Sequence, residues 1–154
     1  MNNTAHILLV EDNRMDVELT LDAFKEARLL NTIHVTATGL EALDYMFGRG
    51  QYADRSRFPL PNLILLDLKL PGIDGFEVLR QIKSTPILRR VPVIILTSSK
   101  EEGDLALTYE IGANSYIVKP VSFDGFLGVI KQIEGYWISL NVAPPDGDRS
   151  DSQR

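Results

Sequence analysis

Short apolar runs alternate along the chain with longer stretches whose apolar positions recur every three or four residues. The runs cover residues 6–10, 33–37, 63–67, 93–97 and 115–118. They are too short for helices and largely apolar, which predicts buried strands. The stretches between them read as amphipathic helices. Leu19, Ala23, Phe24 and Ala27 form one stripe, with Asp16, Glu18, Asp22, Lys25 and Glu26 around it. Phe76, Leu79, Ile82 and Lys83 repeat the spacing, and Phe123, Leu127, Ile130, Ile133 and Trp137 carry it through the last helix. Helix starts are marked where a capping residue stands three before a Glu: Thr38 before Glu41, Asp74 before Glu77, Ser99 before Glu102. Gly48 and Gly112 fit the positions just past a helix, where the backbone turns left-handed.

Strict strand–helix alternation predicts a parallel sheet with helices on both faces. Five such units suit a flavodoxin-like, doubly wound, three-layer α/β/α fold with strand order 2-1-3-4-5, in which the first and third strands are neighbours. Residues 48–61 form a polar connection far longer than the ~2–6 residues usual between a helix and a strand. The domain is expected to span residues 5–140, and the Pro-, Asp- and Ser-rich stretch 141–154 is expected to be a disordered tail.

Composition narrows the function. A chain of 154 residues with 44% hydrophobic residues is one domain's worth of globular protein. Its net charge of −5, with no run of Lys and Arg, disfavours a nucleic-acid-binding surface. It has no cysteine, which excludes disulfides, thiolate catalysis and cysteine zinc sites and suits a reducing cytoplasm. No apolar run approaches the roughly 20 residues needed to span a bilayer. No signal-like segment precedes the first strand, so a soluble cytoplasmic protein is expected.

The chemistry gathers at strand ends. The first strand runs into Glu11 and Asp12, the third ends at Asp67, the fourth at Thr97, and the fifth runs into Lys119 and Pro120. With the expected strand order, three carboxylates, a hydroxyl and an ammonium share one edge of the sheet, the carboxyl edge where such folds bind ligands. Clustered carboxylates repel and need neutralising, and a hard divalent cation such as Mg²⁺ does this with oxygen ligands. A metal, a hydroxyl and a Lys around one Asp make a phosphoryl-transfer site, with the Asp as nucleophile.

These residues resemble the receiver domain of two-component response regulators. Glu11-Asp12, Asp67 with Leu70-Pro71-Gly72 and Asp74-Gly75, Thr97, and Lys119-Pro120 match that family's marks in order and spacing, over roughly residues 5 to 138. The resemblance implies that Asp67 accepts phosphate from a histidine kinase. It implies that Asp12 and Asp67 bind Mg²⁺, with Glu11 acting through water and the backbone carbonyl of Lys69 completing the shell. Thr97 and Lys119 would hold the phosphoryl group, and the bond between Lys119 and Pro120 would be cis. Tyr116 matches an aromatic that moves with Thr97, although a strand aromatic also fits plain core packing. Lys69 and Ser99 lie where side chains approach the attacking water. Met15, on the helix beside the acidic residues, is a candidate contact for the kinase.

The 48–61 insertion, the segment from Asn13 to Glu18 and the late Gly135-Tyr136-Trp137 resemble single-domain receivers that partner phytochrome-type kinases. Members of that subset often form homodimers. The expected protein is a receiver without an output domain, acting on an unknown downstream partner. Two other readings stand beside it. An aspartyl-phosphate phosphohydrolase usually carries a second Asp two residues after the nucleophile, and here that position is Lys69. A receiver-like module that never takes phosphate would be expected to have lost an acidic residue, the Thr or the Lys.

Overall fold

A computed structural model describes residues 5–28, 31–120 and 122–141. Five strands, β1 (Ala5–Val10), β2 (Asn31–Thr36), β3 (Leu63–Leu66), β4 (Val93–Thr97) and β5 (Ser115–Val118), alternate with five helices. The helices are α1 (Arg14–Glu26), α2 (Gly39–Phe47), α3 (Gly75–Ser84), α4 (Glu102–Ile111) and α5 (Phe123–Asn141). The strands make one parallel sheet in the order β2-β1-β3-β4-β5. The expected fold and strand order are those observed.

Period-two alternation sorts the strand side chains between two cores. Leu8, Val10, Ile64, Leu66, Val93 and Ile95 face α2 and α3, where they meet Leu43, Tyr45, Met46, Val78, Leu79 and Ile82. Ile7, Leu9, Leu63, Leu65 and Ile94 face the other way, onto Ala23 and Phe24 of α1 and Phe126, Ile130 and Ile133 of α5. β1 and β3 are covered on both faces, which is why their sequences are apolar throughout rather than alternating. The α5 backbone runs on to Asn141, one residue into the stretch expected to be tail. Residues 142–154 and the side chain of Trp137 lie outside the described residues. Among the described residues, no helix is long and apolar enough to cross a membrane.

The helix starts follow the sequence signals at two of three places. Thr38 and Asp74 accept hydrogen bonds from the Glu41 and Glu77 amides, both at 3.0 Å. The Ser99 signal fails: α4 begins at Glu102 with Glu101 in the capping position and no side-chain cap. The Ser99 hydroxyl donates to Asp104 at 2.6 Å, and its oxygen accepts from the Glu101 amide at 3.3 Å, one residue short of the capping-box partner at Glu102. Gly48 does end α2 in the left-handed conformation, with φ of 67°.

The inserted segment is more structured than its polar composition suggests. It contains a 3-10 turn, Gly50–Tyr52. Tyr52 and Phe58 pack with Tyr45 of α2 at ring separations of 5.0 and 6.0 Å. His34 joins this cluster and stacks on His6, whose Nδ1 lies 3.1 Å from His34 Nε2. Arg55 reaches back to the end of α2. Its guanidinium donates to the carbonyls of Tyr45 (2.8 Å), Met46 (2.7 Å) and Phe58 (3.1 Å). The last carbonyls of a helix lack intrahelical partners and favour a cation, and here the Gly48 N–H reaches only part of them. Arg55→Ala is therefore expected to cost about 2–3 kcal/mol of stability. An unchanged urea midpoint would show that these bonds are dispensable.

Candidate functional site

Strand register builds the site. Val10 is level with Leu66 across β1 and β3, so the next residues, Glu11 and Asp67, emerge side by side. Thr97 of β4 is level with Val118 of β5, which places Lys119 just beyond. Backbone bonds pin these ends: Glu11 N–H to the Thr36 carbonyl (3.0 Å), Asp67 N–H to Val10 (3.1 Å) and Lys119 N–H to Thr97 (2.8 Å). Gly75 lets the start of α3 lie against this edge, since a Cβ there would meet the Asp67 carbonyl oxygen at 2.3 Å.

Four of the residues read from sequence converge. Glu11, Asp12 and Asp67 present carboxylate oxygens within 4.8 Å of one another. The Lys119 ammonium donates to Glu11 Oε1 at 2.6 Å and Asp67 Oδ2 at 3.0 Å. It also donates to Asp16 Oδ2 at 2.8 Å, a contact that sequence reasoning missed. Asp67 and Glu11 are buried, whereas Asp12 is exposed and borders an open cleft of about 520 Å³ with Lys69, Asp74 and Asp104.

The other expected residues stand nearby in different roles. The Thr97 side chain is fully buried, and its hydroxyl oxygen accepts from the Ser99 amide at 3.4 Å. The Tyr116 hydroxyl donates to the Ser99 carbonyl at 3.0 Å, so Ser99 links the two. The Lys69 amide donates to Asp67 Oδ1 at 3.3 Å, and its side chain is exposed. Met15 is 70% exposed on the first turn of α1. One expectation is corrected: among the described residues there is no cis peptide bond, so the Lys119–Pro120 bond is trans. An X–Pro bond favours trans by ~0.5–1 kcal/mol, and the three carboxylates around Lys119 fix its position without the isomer.

Burial raises the Glu11 carboxyl from 4.5 to about 7, with the charge of Asp67 adding and the hydrogen bond from Lys119 opposing. For Lys119, burial on its own would lower the pKa. The carboxylates of Asp16, Glu11 and Asp67 outweigh it and hold the ammonium above its usual range. A carboxyl whose pKa is higher folded than unfolded binds its proton more tightly in the native state. Its contribution to stability is therefore present at low pH and lost as pH rises through the folded value. Metal-free protein is expected to lose stability between about pH 4.5 and pH 7 on this account. Glu11→Gln should flatten that slope in urea titrations run in chelator. A slope unchanged in the variant would assign it elsewhere.

The donor set fits a hard divalent cation: carboxylate oxygens of two buried residues and one exposed, with an open cleft alongside. The arrangement also holds a nucleophilic carboxylate beside an ammonium, which is what acyl-phosphate formation requires.

Comparison with known proteins agrees with this chemistry. Residues 7–131 match the response regulator receiver domain. Response regulator Rcp1 of Synechocystis is 37% identical over 138 residues, covering 90% of this chain and 92% of its own. The phosphorylated cyanobacterial phytochrome response regulator RcpA superposes with a TM-score of 0.83 at 38% identity, over 90% of this chain and 96% of that one. The Mn²⁺-bound form of Rcp1 superposes with a TM-score of 0.80 at 36% identity, over 91% and 99%.

Proposed function

Since the chain belongs to the response-regulator receiver family, we propose that it works as a single-domain response regulator that takes a phosphoryl group on Asp67 from a phytochrome-type histidine kinase. The observation that carries this reading is the Lys119 ammonium 3.0 Å from Asp67, inside a cluster of carboxylates at the sheet's carboxyl edge. Near-complete coverage of Rcp1 supports the single-domain part, and the likeness to a phytochrome response regulator supports the kinase type. Residues 5–140 act as the receiver unit. The protein sits in the cytoplasm, where the ATP that charges such kinases is made.

In the forward step an Asp67 carboxylate oxygen attacks the phosphorus of a phosphohistidine. The P–N bond breaks, its electron pair returns to the imidazole nitrogen, and an acyl phosphate forms. Lys119 offsets charge on one equatorial phosphoryl oxygen, and the Thr97 hydroxyl donates to another once it leaves the Ser99 amide. Asp12, Asp67, Glu11 through water and the Lys69 carbonyl would hold Mg²⁺, which supplies further neutralisation of the phosphoryl oxygens. Hydrolysis reverses the state: water attacks phosphorus, the P–O bond to Asp67 breaks, and inorganic phosphate leaves with the carboxylate restored.

The same residues transmit the change. Thr97 and Tyr116 are both bonded to Ser99, so movement of the Thr97 hydroxyl alters the loop that also holds the Tyr116 hydroxyl. A downstream protein reads that altered surface. Met15, exposed beside the acidic cluster, contacts the kinase. The protein is a signalling component that catalyses its own phosphorylation and dephosphorylation, not a turnover enzyme.

The test is phosphotransfer. With Mg²⁺, the protein should acquire a base-labile phosphoryl group from an autophosphorylated phytochrome-type kinase and from acetyl phosphate, and chelator should prevent it. Absence of label from every donor would overturn the reading.

A further inference from the structure

We propose that Asp16 is a positioning residue for phosphoryl transfer, holding the Lys119 ammonium where it meets a phosphoryl oxygen on Asp67. The proposal rests on the reading of Asp67 as the acceptor. A lysine ammonium has three N–H donors, and here all three are directed at carboxylates: Glu11 at 2.6 Å, Asp16 at 2.8 Å and Asp67 at 3.0 Å. Two of those partners have other commitments. Glu11 and Asp67 belong to the group of carboxylates close enough together to share a cation, whereas Asp16 lies outside that group. Phosphorylation also converts the Asp67 oxygens into an acyl phosphate. Asp16 is the acceptor that stays available to Lys119 throughout.

Asp16 is well placed to act as an anchor. It stands in the first turn of α1, where its amide donates to the Asn13 side chain at 3.1 Å and its carbonyl accepts from the Thr20 hydroxyl at 2.7 Å. An acidic residue in a first turn ordinarily serves its own helix, by capping or by facing the dipole. Here Asn13 does the capping, and the Asp16 side chain turns across to a residue 103 positions away. The Lys119 side chain is only 8% exposed, so water is a poor substitute for a lost carboxylate. A lysine on a four-carbon stem keeps one position only if its head is held.

The experiment measures labelling by acetyl phosphate at saturating Mg²⁺, in which an Asp67 oxygen attacks phosphorus and acetate leaves. Asp16→Asn keeps an acceptor oxygen but loses the charge, and should slow labelling about five- to tenfold. Asp16→Glu, which restores the charge, should recover most of the rate. In a Lys119→Met background, Asp16→Asn should change the rate less than about twofold, because the effect runs through the ammonium. Asp16→Asn labelling at the wild-type rate would overturn the proposal. So would an equal slowing with and without Lys119, which is what a general structural or field effect produces. Failure of the underlying reading looks different: wild-type protein would take no label, or Asp67→Asn would take it as wild type does, and the proposal would fall with it.

Discussion

Asp67→Asn is expected to abolish phosphoryl uptake while leaving the folded protein at least as stable as before. The amide cannot form the acyl phosphate, so labelling should fall by at least about a hundredfold, the scale on which loss of a nucleophile acts. The stability result has the opposite sign. Asp67 is one of several carboxylates whose oxygens lie within 4.8 Å of one another, with Lys119 as the cation among them. Removing one negative charge relieves repulsion, and the Asn carbonyl can still accept from Lys119. A melt in chelator should show an equal or higher midpoint. A variant that labels normally would move the acceptor to another residue, and one that is strongly destabilised would show that the Lys119 contact outweighs the repulsion.

Lys119→Met should have the second-largest effect, and it divides into two readouts. Loss of the ammonium removes charge stabilisation at the transferring group, a change that usually costs about 10²–10³ in rate. Metal binding should move the other way. In the metal-free protein Lys119 is bonded to both Glu11 and Asp67 and competes with a cation for them. Without it, the carboxylates have no other neutralising partner among the described residues, and Mg²⁺ or Mn²⁺ should bind more tightly in a calorimetric titration. The same loss leaves buried charge unpaired, so metal-free protein should be less stable by up to about 3–5 kcal/mol, lessened by protonation of Glu11. Weaker metal binding in the variant would mean that Lys119 organises the carboxylates rather than competing for them.

Most of the fold was legible because its signals are local. Apolar runs such as Leu63-Ile64-Leu65-Leu66 and stripes such as Leu79 and Ile82 follow from periods of two and 3.6 residues. The site was legible for a related reason: in a parallel sheet all strand ends of one kind share an edge, so Glu11, Asp12, Asp67, Thr97 and Lys119 could be placed together once the strand order was inferred. What escaped depends on which way a side chain turns. Asp16 reads as one more charge on the polar face of a helix, and only the packing of α1 beside α5 brings it to Lys119. Ser99 has the spacing of a helix cap, yet its oxygen accepts from the Glu101 amide and its hydroxyl donates to Asp104. Tyr52 and Phe58 sit in a stretch whose average composition is polar, and averages hide two rings that bury themselves against Tyr45.

The Arg55 guanidinium has a consequence for chimeras. The end of α2 does not carry its own termination chemistry in full; part of it is supplied from nine and ten residues further along. Helix and insertion are therefore one cassette. A graft that swaps residues 48–61 for the short connector of another protein must bring a new terminator for the helix, or trim α2 at the same time. Conversely, the insertion moved to another scaffold should order itself only when the recipient helix offers carbonyls at the same spacing. The side chains of Gln51 and Ala53 are exposed and outside this arrangement, which makes them the places where a tag or an inserted domain can enter with least disturbance to it.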